Sequence, residues 1–170
     1  MSGPSRTLVI DTSVLINFIA VGRLDLLAAL PVTTAVVTDH VRGEISDDHP
    51  DQIGIFDRAV SAAMIFPVRV DTPDELITFA GLESSGLGTG ERSAIAAAIH
   101  RGFVVAIDDR RAIAILNRIF GNIRVLRTQD IVRELIEAGV LTVTEADAMK
   151  RRWQECHRFT LPFDSFADPP

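Results

Sequence analysis

Twice in this chain a short run of branched, apolar residues stops abruptly on acid. Leu8-Val9-Ile10 runs into Asp11, and Phe103-Val104-Val105-Ala106-Ile107 into Asp108-Asp109. Runs that are apolar at consecutive positions belong to strands covered on both faces, as in parallel sheets. Segments of helical length separate the strand-like runs. That alternation folds as a parallel sheet with right-handed crossovers and helices on both faces. In such sheets ligands sit in the crevice beyond the carboxyl ends of the strands, where both acidic stops fall.

The first strand is expected over 6–10. Ser13 then suits the cap of a helix continuing to about Ala20, and Leu24, Leu26, Leu27 and Leu30 suit a short helix ended by Pro31. A strand over 32–37 leads to Thr38, an N-cap for a helix carrying Val41, Glu44 and Ile45. Asp47-Asp48-His49-Pro50 reads as a turn and 53–64 as a helix. The run 65–70 reads as an edge strand, because Pro67 cannot donate to a ladder. A short helix over 73–80 precedes a loop at 81–90, by composition the most flexible segment. Helices are then expected over 91–101, from Arg110 to Gly121, and over 129–138 and 145–158, with strands at 103–107 and 123–126. No repeat or long linker divides the 170 residues. One domain is expected, with a core over about 1–140 and a C-terminal helix and tail over about 141–170. The apolar tail around Phe159, Leu161, Phe163 and Phe166 either packs back on that domain or covers a partner subunit.

Hydrophobic residues make up 47% of the chain, enough for a packed core. The single Cys156 excludes an internal disulfide and a thiolate cage, and His40, His49, His100 and His157 lack zinc-ligand spacing. The polar opening residues lead directly into a strand, and Arg92, His100 and Arg101 interrupt the longest apolar stretches well short of a membrane span. A cytoplasmic protein with no membrane contact is expected. The net charge of −6 argues against a general nucleic-acid coat. It does not argue against an enzyme that meets nucleic acid through bound cations and a local basic patch.

Four acids stand out, and each has an ordinary reading. Asp11 suits a helix cap or turn, Glu44 a surface helix, Glu91 a helix first turn, and Asp109 an N-cap with Asp108 as a turn acid. Their arrangement says more. Asp11 and Asp108-Asp109 leave buried strands, Glu44 lies on a helix that begins just past another, and Gly86, Gly88 and Gly90 let backbone approach something closely before Glu91. Carboxylates gathered in one crevice repel unless they are protonated or neutralised by divalent cations. Mg²⁺ and Mn²⁺ prefer such oxygen ligands, and two ions about 4 Å apart can hold the attacking and departing oxygens of phosphodiester hydrolysis. No Ser, His or Cys nucleophile is then needed. Arg42, Arg110, Arg111 and Arg118 read as solvated arginines or as phosphate contacts, with Arg42 and Arg110 the favoured contacts. The glycine series is not a dinucleotide loop, because no strand immediately precedes it and an acid occupies the pyrophosphate position. A phosphoryl-accepting Asp11 is a rival, although Ser13 breaks the Asp-x-Asp pattern and Lys150, the only lysine, lies in the last helix.

In order along the chain, Val9-Ile10-Asp11-Thr12-Ser13-Val14-Leu15, Val41-Arg42-Gly43-Glu44-Ile45, Gly88-Thr89-Gly90-Glu91-Arg92-Ser93-Ala94 and Val105-Ala106-Ile107-Asp108-Asp109-Arg110-Arg111-Ala112 follow the PIN-domain pattern. The chain resembles the VapC-like ribonucleases, toxin halves of toxin–antitoxin pairs. It looks closest to a branch with Gly-Glu in the third motif and a double Asp in the fourth. The resemblance covers roughly the first three-quarters of the chain. It implies a three-layer α/β/α sandwich around a parallel sheet of about five strands, and Mg²⁺- or Mn²⁺-dependent cleavage of RNA. Asp11, Glu44, Glu91 and Asp109 would be the metal-binding acids, with Glu44 completing the cluster or orienting the attacking water. Ser13 would support Asp11, and Asp108 is the alternate fourth ligand. A small antitoxin that places a basic residue in the crevice, and a second copy of the chain, are the implied partners. A PIN-like nuclease of RNA or DNA processing, or an inactive binding module, are the alternatives.

Overall fold

A computed structural model describes residues 5–121 and 123–169. Its sheet consists of β1 (Arg6–Ile10), β2 (Thr33–Thr38), β3 (Phe66–Val68), β4 (Val104–Ala106) and β5 (Val125–Leu126), all parallel in the order β3-β2-β1-β4-β5. The helices are α1 (Thr12–Ala20), α2 (Asp25–Ala28), α3 (Asp39–Asp48), α4 (Pro50–Ser61), α5 (Pro73–Gly81), α6 (Thr89–Arg101), α7 (Arg110–Phe120), α8 (Thr128–Glu137) and α9 (Val143–Cys156).

Alternate side chains of the strands enter two cores, as the period of two requires. Leu8, Ile10, Ala35, Val37, Val104 and Ala106 join Phe18, Ile45, Phe56, Leu135 and Trp153 on one face. Val9, Val36, Val105 and Ile107 join Ile95, Ala98, Ile115 and Leu116 on the other. This is the expected α/β/α sandwich. The chain lays β1, β2 and β3 toward one edge, then returns to set β4 against the opposite side of β1. The order therefore reverses between β1 and β4, the point at which such folds open a binding crevice.

Several boundaries differ from the sequence reading. The helix after β1 is capped by Asp11, whose carboxylate accepts from the Val14 amide, and not by Ser13. Helical geometry already begins at Thr12, which leaves Ser13 inside the first turn. Thr38 ends a strand and also caps α3 through the Val41 amide. The turn expected at 47–50 shrinks to His49, because α3 continues to Asp48 and Pro50, its amide not needed at a helix start, opens α4. The 65–70 run pairs only over Phe66–Val68, at the sheet edge. Within the expected 81–90 loop, Glu83–Ser85 form a 3₁₀ turn and α6 starts at Thr89.

The C-terminal tail packs back on the body. Leu161 and Phe166 are buried in the same core as Trp153. The Trp153 indole N–H donates to the Asn17 carbonyl at 2.7 Å, an otherwise open acceptor in the last turn of α1. No helix among the described residues is long and apolar enough to cross a membrane.

Candidate active site

The acids gather at the carboxyl ends of β1, β2 and β4 because each immediately follows a strand or belongs to a helix that starts there. The Asp11 amide donates to the Ala106 carbonyl at 3.1 Å, which fixes Asp11 beside the end of β4. Its side chain is 1% exposed and accepts from the Ser13 hydroxyl (2.9 Å) and the Val14 amide (3.0 Å). Burial pushes the Asp11 carboxyl up to about 8, against the lowering effect of those two donors, and the charges of Asp108 and Glu91 push the same way.

Asp108 is tied down on both oxygens. Oδ1 accepts from the Thr128 amide (2.8 Å), and Oδ2 from the Thr128 hydroxyl (2.6 Å) and the Asn17 amide group (2.9 Å). Burial still raises its pKa. Asp109 is exposed and caps α7 through the Ala112 amide at 2.8 Å. Glu91 reaches back to the Gly88 amide at 2.9 Å. Its pKa is raised by burial first and then by the charges of Asp109 and Glu44, with Arg111 offsetting part of the rise. Electrostatically Glu91 thus links the Asp11 side of the crevice to Asp109 and Glu44. Both Glu44 oxygens face donors, the Thr12 hydroxyl and the Gly90 amide.

The two arginines singled out from sequence stand differently. Arg42 turns to Asp57 at 3.1 Å, an exposed pair, whereas Arg110 is exposed in the first turn of α7. Arg111 bonds the Ser85 carbonyl at 3.0 Å and packs under Gly86 (φ +78°), so it fastens the 82–88 segment to α7. Sequence reasoning did not find Thr12, Asn17 and Thr128. A lone Asn in an otherwise apolar helix was the one local signal, since a buried amide demands partners.

The crevice offers its acids little cationic compensation. Among the described residues, no Lys, Arg or His forms an ion pair with Asp11, Glu44, Glu91, Asp108 or Asp109. Helix N-termini at Asp11, Gly88 and Asp109 give only partial compensation. Among the same residues no three acids converge closely enough to cage an ion unaided. What the acids do offer is an oxygen-only donor set, the chemistry that hard divalent cations such as Mg²⁺ or Mn²⁺ accept while keeping several waters.

Acids at the topological switch point of a parallel α/β domain make an oxygen-only donor set of the kind that suits hard divalent cations. The family model described as DUF3368: PIN domain matches residues 7–155, and the chain belongs to the PIN domain family. PIN domains are generally metal-dependent nucleases. Two solved structures share the fold at 16% identity. The PIN domain endonuclease Utp24 aligns over 75% of this chain and 88% of its own with a TM-score of 0.51. PAE2754 from Pyrobaculum aerophilum aligns over 76% and 89% with a TM-score of 0.52. No curated protein matches the sequence.

Proposed function

We propose that this protein is a Mg²⁺- or Mn²⁺-dependent endoribonuclease, the toxin of a toxin–antitoxin pair, working as one domain in the cytoplasm. The observation that carries the reading is Asp11, buried beside Asp108 and within the field of Glu91, with no cationic partner among the described residues. Asp11, Glu91 and Asp109 would hold the cation, one or two of them directly and the rest through its waters, with Asp108 as the alternate ligand. When bound, the ion would neutralise the clustered acids and polarise the scissile phosphodiester.

The chain's own residues do the rest. Ser13 and the Val14 amide hold the Asp11 carboxylate in one orientation. Thr128 and Asn17 fix Asp108. Arg110, exposed next to Asp109, contacts a substrate phosphate. Arg42 joins it after leaving Asp57, at little cost because exposed pairs contribute only about 0–1 kcal/mol. A small antitoxin with a basic side chain would block the acidic crevice, and a second copy of the chain would form a homodimer.

Two RNA and DNA oligonucleotides of one sequence, each incubated with Mn²⁺, test the substrate. RNA cleavage with intact DNA supports the reading, whereas DNA cleavage moves the protein to DNA processing. Growth arrest on expression, lost with Asp11→Asn, tests the toxin role. One observation favours a second reading: the acids do not close on a common point. A binding module without turnover would gain no thermal stability from Mn²⁺ and cut nothing.

A further inference from the structure

Helix α6 begins at a cap that cannot cap. Gly88 has no side chain to meet the open amides of the first turn. Two glutamates from different parts of the chain do so. Glu91 returns to the Gly88 amide, half of a capping box. Glu44, arriving from α3, accepts from the Gly90 amide at 2.6 Å with one oxygen and from the Thr12 hydroxyl with the other. Thr12 adjoins Asp11 and Gly90 adjoins Glu91, so a single carboxylate ties together the backbones that carry these two acids. The seat is tight. A methyl group on Gly90 would stand 2.6 Å from Thr12 Oγ1 and 3.0 Å from Glu44 Cδ, and one on Gly88 would stand 3.5 Å from Glu44 Oε1.

From this geometry we infer that Glu44 is a positioning residue, a clamp that sets Asp11 and Glu91 relative to each other, and not a ligand of the cation. The inference rests on the metal-centre reading and assigns Glu44 a role different from completing the cluster or orienting water. Both carboxylate oxygens are engaged by the protein, and even a methyl group at Gly90 would have to push the Glu44 carboxylate and the Thr12 hydroxyl aside.

Gln separates the two roles. A carboxamide at position 44 still accepts from the Gly90 amide and donates to Thr12 Oγ1, since a hydroxyl accepts as well as it donates. Mn²⁺ affinity measured by titration calorimetry, with Gly90 amide exchange followed by NMR, tests the assignment. Glu44→Gln is expected to bind Mn²⁺ within about threefold of the parent and to keep the Gly90 amide protected. Glu44→Ala should bind roughly tenfold or more weakly, the usual loss when a ligand's supporting shell is removed, with Gly90 unprotected. Thr12→Val, which leaves every acid in place, should also weaken Mn²⁺ binding, and Thr12→Ser should restore it. Glu44→Gln binding as poorly as Glu44→Ala while Gly90 stays protected would overturn the clamp and make Glu44 a ligand. Unchanged affinity in Thr12→Val would overturn it as well. Parent-like Mn²⁺ affinity in Asp11→Asn would bring down the metal centre itself, and the clamp with it.

Discussion

At the scale of single residues, Asp11 carries the tension in this molecule. Between its unfolded value of 3.8 and about 8, the native carboxyl holds a proton that the unfolded chain has already lost. Stability therefore falls as pH rises through that window and levels off above it. Asparagine keeps an acceptor for the Val14 amide and cannot ionise. Metal-free Asp11→Asn should accordingly melt several degrees above the parent at pH 8, with the gap closing near pH 4, as differential scanning calorimetry would record. An equal or lower melting temperature at pH 8 would contradict the burial argument. The same proton must leave before the carboxylate can ligate, so parent Mn²⁺ affinity should rise with pH toward 8. The acids at strand ends were legible in the sequence because a buried run that stops on Asp is a local pattern. Their supports were not. Thr12 and Glu44 are 32 residues apart, and Asn17 and Asp108 are 91 apart, distances over which only the folded chain pairs them. Arg42 was read beside Glu44, and nothing local to it pointed to Asp57 on the next helix.

At the scale of elements, α5 and α6 are joined by an ion pair buried on one side. Glu75 is fully buried, caps its own helix through Thr72 and receives Arg101 from the end of α6. The Arg101 guanidinium, together with the Thr72 and Asp71 donors, lowers the Glu75 pKa to about 2 against the opposing effect of burial. A depressed native pKa contributes stability above the unfolded value of 4.5 that is lost as pH falls toward 2. Glu75→Gln should cost about 2 kcal/mol at pH 7, with Arg101 left short of a partner, and almost nothing near pH 2; urea titration at both pH values checks this. Thr128→Val removes the hydroxyl that joins Asp108 to the start of α8, and should cost about 1 kcal/mol. Each α-helix and strand of the described residues was located from the sequence, since periodicity and caps such as Thr38 are local, whereas the Thr142 cap that starts α9 was not read. Errors fell at joints, where tertiary pairing decides how much of an apolar run becomes strand: the 65–70 run keeps three residues and the 123–126 run two.

At the scale of the whole molecule, α9 and the tail belong to the larger core. Trp153 is fully buried between Phe18 and Phe159, with edge-on ring centroids 6.3 and 5.5 Å away. Trp153→Ala should cost about 3–5 kcal/mol. The parent should unfold in one transition, with tryptophan fluorescence and far-UV circular dichroism coincident, as expected of one cooperative domain. A polar tail would have signalled a dispensable end, and this one, with Leu161 and Phe166 buried, does not. Among the described residues the fold places acids at a switch point without salt-bridge partners, and the proposed phosphodiester hydrolysis rests on that imbalance. Cleavage of a mixed RNA pool by the parent and by Asp11→Asn, each with Mn²⁺ and with EDTA, measures it directly. Cutting is predicted only for the parent with Mn²⁺, and cutting that survives both the chelator and the substitution would contradict the account.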